Sequence, residues 1–220
     1  MIEQSTLQFL KALKKNNNRD WFLLHKSNYE LAKANYLNFV STVLEGVQKF
    51  DNSLSQLAPN QCVFRINRDV RFSKNKDPYK TNFGASFSKG AKKIDTAGYY
   101  FHLEPGASFI GGGLWMPQAP DLKKVRQEID YCYKEFRGIV EGKHFIACFG
   151  SMDKEGALSR PPKGYEIGNP AIEYLKLKSF TAILPITDAA LLDKNIVKKT
   201  LAVFDTIAPL VHFLNRAIEA

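Results

Sequence analysis

The sequence predicts a single α+β domain spanning residues 1–220, an antiparallel sheet of about four to five strands flanked by N-terminal and C-terminal helices. Three observations predict it. Apolar residues recur at helical spacing over residues 1–50, alternate through 61–118, and return mainly to helical spacing over 119–220. That order segregates helices from strands within one domain. The 220 residues are 45% hydrophobic, enough apolar side chain for one substantial core. No internal repeat, low-complexity tract or domain boundary divides the chain.

The elements follow in order. Leu7, Leu10 and Leu13 mark a helix over 6–15 with Ser5 as its cap, and Asn16-Asn17-Asn18 stops it. Asp20-Trp21-Phe22 opens a short second helix or turn. Ser27-x-x-Glu30 has the capping-box spacing, and Tyr29, Ala32, Tyr36, Phe39, Val40, Val43, Val47 and Phe50 trace one helical face after it. Residues 51–61, with Pro59, form a linker. Alternation then predicts strands at Val63–Phe72, Phe83–Ser88, Gly98–Glu104 and Ser108–Met116, separated by turn residues at Asp77-Pro78, Lys89-Gly90 and Pro105-Gly106. Leu122, Val125, Ile129, Cys132 or Tyr133, and Phe136 share a helix face ending at Gly138. Residues 141–168 are less regular, Asn169-Pro170 suits a helix start, and Phe180–Thr187 suits a further strand. Residues 189–219 predict a helix that Pro209 kinks or breaks.

Composition excludes several classes. Charged residues at 24% and aromatics at 12% are ordinary for a globular chain and exclude a disordered or fibrous one. Cys62, Cys132 and Cys148 are scattered thiols with no Cys-x-x-Cys pair, so neither a zinc site nor a redox dithiol is signalled. Met1-Ile2-Glu3-Gln4-Ser5 lacks the basic and apolar regions of a signal peptide, and no apolar run approaches the roughly 18 residues of a membrane span. The expected compartment is therefore the cytoplasm, with no membrane partner.

Charge is unevenly spread. The 31 Lys/Arg and 22 Asp/Glu leave a net charge of +9. Residues 61–93 hold 9 basic and 2 acidic side chains, a net +7, whereas residues 94–220 balance 15 against 15. A concentrated excess predicts an electropositive patch that attracts phosphates, nucleic acid or an acidic partner.

Within that window, read as a strand, Phe64, Ile66, Val70 and Phe72 take one face, interrupted by Arg68. Arg65, Asn67, Asp69 and Arg71 take the other. Guanidinium forks suit phosphate or carboxylate. Lys74, Lys76, Tyr79 and Lys80 follow, cations mixed with an aromatic as a phosphate-bearing ligand with a stackable base requires. The expected ligand-binding residues are thus Arg65, Asn67, Arg68, Arg71, Lys74, Lys76, Tyr79 and Lys80. Arg65 and Arg71 are expected deep and paired, Lys76 and Lys80 at an exposed rim.

His102 and Glu104 share a strand face with Tyr100, a spacing that permits proton transfer. Asp69, His102 and Glu104 are therefore the candidate acid–base groups of an alternative, enzymatic reading, and Arg65, Asp69 and His102 are expected on one sheet face. Two ligands without a third make metal a weak signal, and no metal or cofactor is expected. Gly111-Gly112-Gly113 leaves bare backbone in a strand, but matches neither a Walker loop nor a dinucleotide fingerprint. A third reading makes the arginines a structural ion-pair network and the patch a dock for an acidic protein.

The run Arg65-Ile66-Asn67-Arg68-Asp69-Val70-Arg71-Phe72-Ser73-Lys74, followed by Lys76-x-Pro78-Tyr79-Lys80, resembles the signature of a bacterial and fungal family, domain of unknown function 2461. Asp20-Trp21-Phe22 with Tyr29, the glycine-rich segment to Trp115, and Arg160-Pro161-Pro162-Lys163-Gly164-Tyr165 fit the same family. The resemblance covers nearly the whole chain. It implies no activity and assigns no catalytic residue, so the function expected from the residues stands: binding of a phosphate-bearing or other anionic ligand, a nucleotide or nucleic acid among them.

Overall fold

The computed structural model describes residues 1–91 and 95–219. Lys92 and Lys93 of the basic window lie outside the described residues.

The N-terminal third is helical because its apolar residues fall every three or four positions. Helix α1 (Gln4–Lys15) buries Leu7, Phe9, Leu10 and Leu13. Ser5 does not cap it: Glu3 holds the cap position, and the Ser5 hydroxyl, already in the first turn, donates to the Glu3 carboxylate at 3.2 Å. Helix α2 (Arg19–Leu24) starts where the Asn18 side chain accepts from the Trp21 amide at 2.9 Å. Helix α3 (Lys26–Val47) buries Ala32, Tyr36, Phe39, Val40, Val43 and Val47. Its expected Ser27 capping box is not formed. The chain passes from α2 to α3 through His25 alone, so Ser27 is already helical. A short 3-10 turn (Asn52–Leu54) and helix α4 (Pro59–Cys62) follow.

The sheet has four antiparallel strands in chain order: β1 (Phe83–Phe87), β2 (Gly98–Leu103), β3 (Ser108–Leu114) and β4 (Phe180–Ile186). The expected strand at Val63–Phe72 is absent. Val63 and Asn67 make only isolated bridges, to Ala85 and Tyr79. The segment leaves the sheet because it pairs with its own return: the Arg68 amide donates to the Pro78 carbonyl at 2.9 Å and the Lys80 amide to the Ile66 carbonyl at 2.8 Å. Alternation alone does not say which partner satisfies a backbone.

Register decides the two faces. Phe83 opposes Leu103, Ala85 opposes Phe101 and Phe101 opposes Ile110, so these residues share the inner face with Phe87, Tyr99 and Ala182. Aromatic packing seals it: Phe39 meets Phe101 at 4.6 Å, Tyr36 meets Phe83 at 5.3 Å and Phe204 meets Tyr99 at 5.1 Å between ring centroids. The outer face carries Gly84, Ser86, Tyr100, His102, Phe109, Gly111, Ile183 and Pro185. There Ile183 and Pro185 are exposed, while Tyr100, His102 and Phe109 are half-buried. Gly113 adopts φ +115°, and a Cβ there would strike the Phe180 carbonyl oxygen of β4.

Helices return as α5 (Ala119–Tyr131), α6 (Tyr133–Val140), α7 (Lys143–Phe149), α8 (Ile172–Leu175), α9 (Asp188–Leu191) and α10 (Ile196–Glu219). The break comes at Cys132 rather than at Gly138, which lies inside α6. Pro209 does not break α10. Pro209 and Asp205, whose carbonyl it leaves without an amide donor, both face solvent, while Ile207, Ala208, Leu210 and Val211 anchor the helix around it. An 18-residue window of α10, with mean hydropathy 1.3, is long and apolar enough to cross a membrane by length and composition alone, and half of that window is buried within the protein.

Candidate functional site

The basic window folds as a loop over residues 63–81, held at both ends. At its base the Asn17 side chain donates to the Tyr79 carbonyl at 2.9 Å and accepts from the Tyr79 amide at 3.1 Å. The Tyr79 ring stacks on Phe22 with centroids 4.0 Å apart. Arg68 closes the loop from within, donating to the Asp77 carbonyl at 3.1 Å and the Ser73 hydroxyl at 3.3 Å. The Lys76 ammonium donates to the Val70 carbonyl at 3.0 Å. Asp69 and Arg71 pair with each other at 2.7 Å on the surface, which holds the Asp69 carboxyl below its ordinary range. Phe72 at the tip is 95% exposed.

Other cations of the window are not consumed in this way. Among the described residues Arg65 and Lys74 have no hydrogen-bond or ion-pair partner on their side chains, and both are exposed. Arg65 lines a cleft of about 240 Å³ with Tyr29, Lys33 and Tyr36 of α3, Asn60 of α4, and Phe83. Lys80 lies beside it, 5.3 Å from the centroid of the Phe64 ring. Burial, and then the neighbouring Arg65 charge, push the Lys80 ammonium below its ordinary pKa. Arg65 also helps to lower the Asp69 carboxyl, but that carboxylate is bonded to Arg71.

A second polar group occupies the outer face of β2. His102 Nε2 lies 3.3 Å from Glu104 Oε2, and Nδ1 lies 3.2 Å from the Tyr100 hydroxyl. Glu104 Oε1 also accepts from Lys14 at 3.2 Å and Thr81 at 3.3 Å. Burial raises the Glu104 carboxyl, but the bonds from His102 and Lys14 outweigh it and leave it below its ordinary value. On His102 burial wins over Glu104 and lowers the imidazole. An ionised Glu104 and a neutral imidazole assign the proton to Nε2, so Nδ1 accepts from Tyr100. Burial pushes the Tyr100 phenol up to about 12. The chain Tyr100–His102–Glu104 thus holds its protons at neutral pH.

These positions revise the expected arrangement. Arg65 and Arg71 are exposed, not deep, and Lys80 is half-buried rather than at an open rim; Lys76 is exposed as expected. Asn67 is exposed and bridges Tyr79, which is itself buried. Arg65, Asp69 and His102 do not share a sheet face. The first two lie in the loop, Arg65 beside the inner-face residue Phe83, and among the described residues no hydrogen bond or ion pair links either to His102. The sequence reading missed Tyr29, Lys33 and Asn60 at the Arg65 cleft, and Lys14 and Thr81 at Glu104. Tyr29, Lys33 and Lys14 arrive from distant helices, while Asn60, only five residues before Arg65, carries no charge to draw notice. Among the described residues no group of three or more His, Cys, Asp or Glu is placed to hold a metal.

A family model described as "Conserved hypothetical protein (DUF2461)" matches residues 5–213 of the 220. The chain belongs to this family. The match takes in the Arg65–Lys80 loop, the outer-face residues and all four strands of this DUF2461 protein. No curated protein and no solved structure matches the chain.

Proposed function

We propose that this DUF2461 protein binds a phosphate-bearing or other anionic ligand at the cleft beside Arg65. One observation carries the reading: exposed Arg65, with no hydrogen-bond or ion-pair partner among the described residues, lines a cleft beside Lys80, and the carboxylate that acts on it, Asp69, is already paired with Arg71. An anion seated between Arg65 and Lys80 offsets their repulsion and gains from both charges. Lys33 adds a third cation on the α3 side, although it also reaches Glu30 at 3.6 Å. Tyr29 and Asn60 bring a hydroxyl and an amide to the same cleft as neutral donors. Arg68 and Lys76 hold the loop in shape instead of contacting ligand.

The acid–base alternative has less support. Asp69 is engaged by Arg71, and both ring nitrogens of His102 are already taken by Tyr100 and Glu104. Thermal melts test the anion reading: pyrophosphate at millimolar concentration is expected to raise the melting temperature of the wild type and leave that of Arg65→Ala unmoved. Equal shifts in both proteins would place the anion elsewhere.

A further inference from the structure

We infer that the outer face of the sheet is a base-stacking platform, and that the anionic ligand is single-stranded nucleic acid whose phosphates follow the basic loop. The inference rests on the anion reading above and adds a second site, on the opposite side of the sheet from the helices.

A file of rings crosses that face. Lys80 covers Phe64, Phe64 meets Tyr100 edge-on at 6.3 Å, and Tyr100 meets Phe109 at 5.7 Å. His102 and Phe109, cross-strand partners, stack at 4.7 Å with an interplanar angle of 8°. Phe109 sits in register between His102 on β2 and Pro185 on β4. On the Pro185 side a cleft of about 430 Å³ opens, lined by Phe109, Ile183, Pro185, Ser108 and Thr187 among others. A planar ring entering there stacks on Phe109 and extends the His102–Phe109 pair by one member.

The chemistry of this cleft differs from that of the Arg65 cleft. No cation lines it, so it suits a neutral ring and not a phosphate. Its hydroxyls are already used: Ser108 donates to the Glu104 carbonyl at 2.7 Å and Thr187 accepts from the Ala190 amide at 3.2 Å. Recognition there is by stacking, which tolerates any base. From β1 to β4 is three strand spacings, about 14 Å. A ring-lined cleft at one end and cations at the other call for a ligand that repeats both groups over that distance. A single-stranded polynucleotide does so, whereas a duplex hides its base faces.

Fluorescence anisotropy with a labelled oligothymidylate of about 20 nucleotides tests this. Inorganic polyphosphate serves as competitor, and a duplex of the same length as comparison. The wild type is expected to bind the single strand at least about tenfold more tightly than the duplex, with affinity falling steeply in salt. Phe109→Ala is expected to weaken oligothymidylate binding by about 5- to 100-fold and leave polyphosphate binding unchanged. Phe109→Leu removes the ring but keeps a large apolar side chain, so it gives the same answer if the alanine variant is poorly folded. Unchanged oligothymidylate binding in a folded Phe109 variant, or equal affinity for single strand and duplex, would overturn the platform while leaving the anion reading standing. Failure of the wild type to bind either oligothymidylate or polyphosphate would overturn both.

Discussion

Asn17 and Tyr79 are joined by two hydrogen bonds through a single side-chain amide, one from the Tyr79 amide at 3.1 Å and one to its carbonyl at 2.9 Å. The side chain takes the place of a neighbouring strand exactly where the chain returns from the basic loop to β1. The first member of Asn16-Asn17-Asn18 ends α1, the third caps α2, and the middle one fastens the loop that carries Arg65 and Lys80. Replacing Asn17 with Ala strands both Tyr79 backbone groups beside a buried ring. Urea denaturation is expected to show a loss of about 1–3 kcal/mol.

Arg68 is expected to matter for the loop and little for the core. Its two bonds go to the Asp77 carbonyl and the Ser73 hydroxyl, both within the loop. Arg68→Ala is expected to cost about 1 kcal/mol or less. The same change is expected to speed chymotryptic cleavage at the exposed Phe72 several-fold, read by timed digestion. An unchanged cleavage rate would mean that the loop is closed by other contacts.

The outer-face relay predicts a pH dependence of defined sign. The His102 pKa is lower in the folded protein than the ordinary value of about 6.5. Between the folded and unfolded values the unfolded chain binds the extra proton. The His102 contribution is therefore complete above about pH 6.5 and is lost as pH falls through the folded value. Melting temperature is expected to decline over that interval, and His102→Gln, which cannot protonate, is expected to flatten the decline.

A second carboxylate works the other end of the fold. Asp51 is 3% exposed and accepts from the Tyr99 hydroxyl at 2.8 Å, the Ser53 amide at 3.1 Å and the Ser53 hydroxyl at 2.6 Å, with His212 at 3.5 Å. Burial raises the carboxyl, yet these partners together bring it below its ordinary value. Its contribution is present above about pH 4 and disappears as pH falls through the folded value. Tyr99→Phe removes one donor from a buried carboxylate and is expected to cost about 1–3 kcal/mol at neutral pH, measured by urea denaturation.

Gly113 and Gly106 offer a paired test of the sheet edge. Both have positive φ, +115° and +81°. A Cβ at Gly106 meets nothing within 4 Å, while one at Gly113 strikes the Phe180 carbonyl. Gly106→Ala is expected to cost about 1 kcal/mol. Gly113→Ala is expected to cost about 3 kcal/mol or more, because it adds displacement of β4 to the strain of the backbone. Melting curves of the two variants separate backbone strain from collision.

Helix α3 and strand β2 were legible in the sequence because each carries one unbroken period: Tyr36, Phe39, Val40, Val43 and Val47 in the helix, Tyr99, Phe101 and Leu103 in the strand. Val63–Phe72 has the same alternation and is not a strand. Its fate depends on Arg68 and Lys80 bonding to Pro78 and Ile66, a choice of partner that periodicity does not encode. Pro209 is similar: its local rule holds, but the buried neighbours and a solvent-facing carbonyl carry the helix through. For the site, charge counting located the basic window. It did not separate Arg68, which closes the loop, from Arg65, which has no partner, because both are arginines three residues apart. Tyr29 and Lys33 of α3 reach Arg65 only through tertiary structure.

The central claim is that the unpaired Arg65, with Lys80 beside it, is an anion site. Isothermal titration calorimetry of tripolyphosphate into the wild type and into Arg65→Ala tests it most directly, at low ionic strength where charge contacts are least screened. The account predicts measurable binding by the wild type and a loss of about tenfold or more in Arg65→Ala, as a charge-assisted contact of about 1.5–3 kcal/mol requires. Equal affinity in the two proteins, or no heat with either, would contradict it.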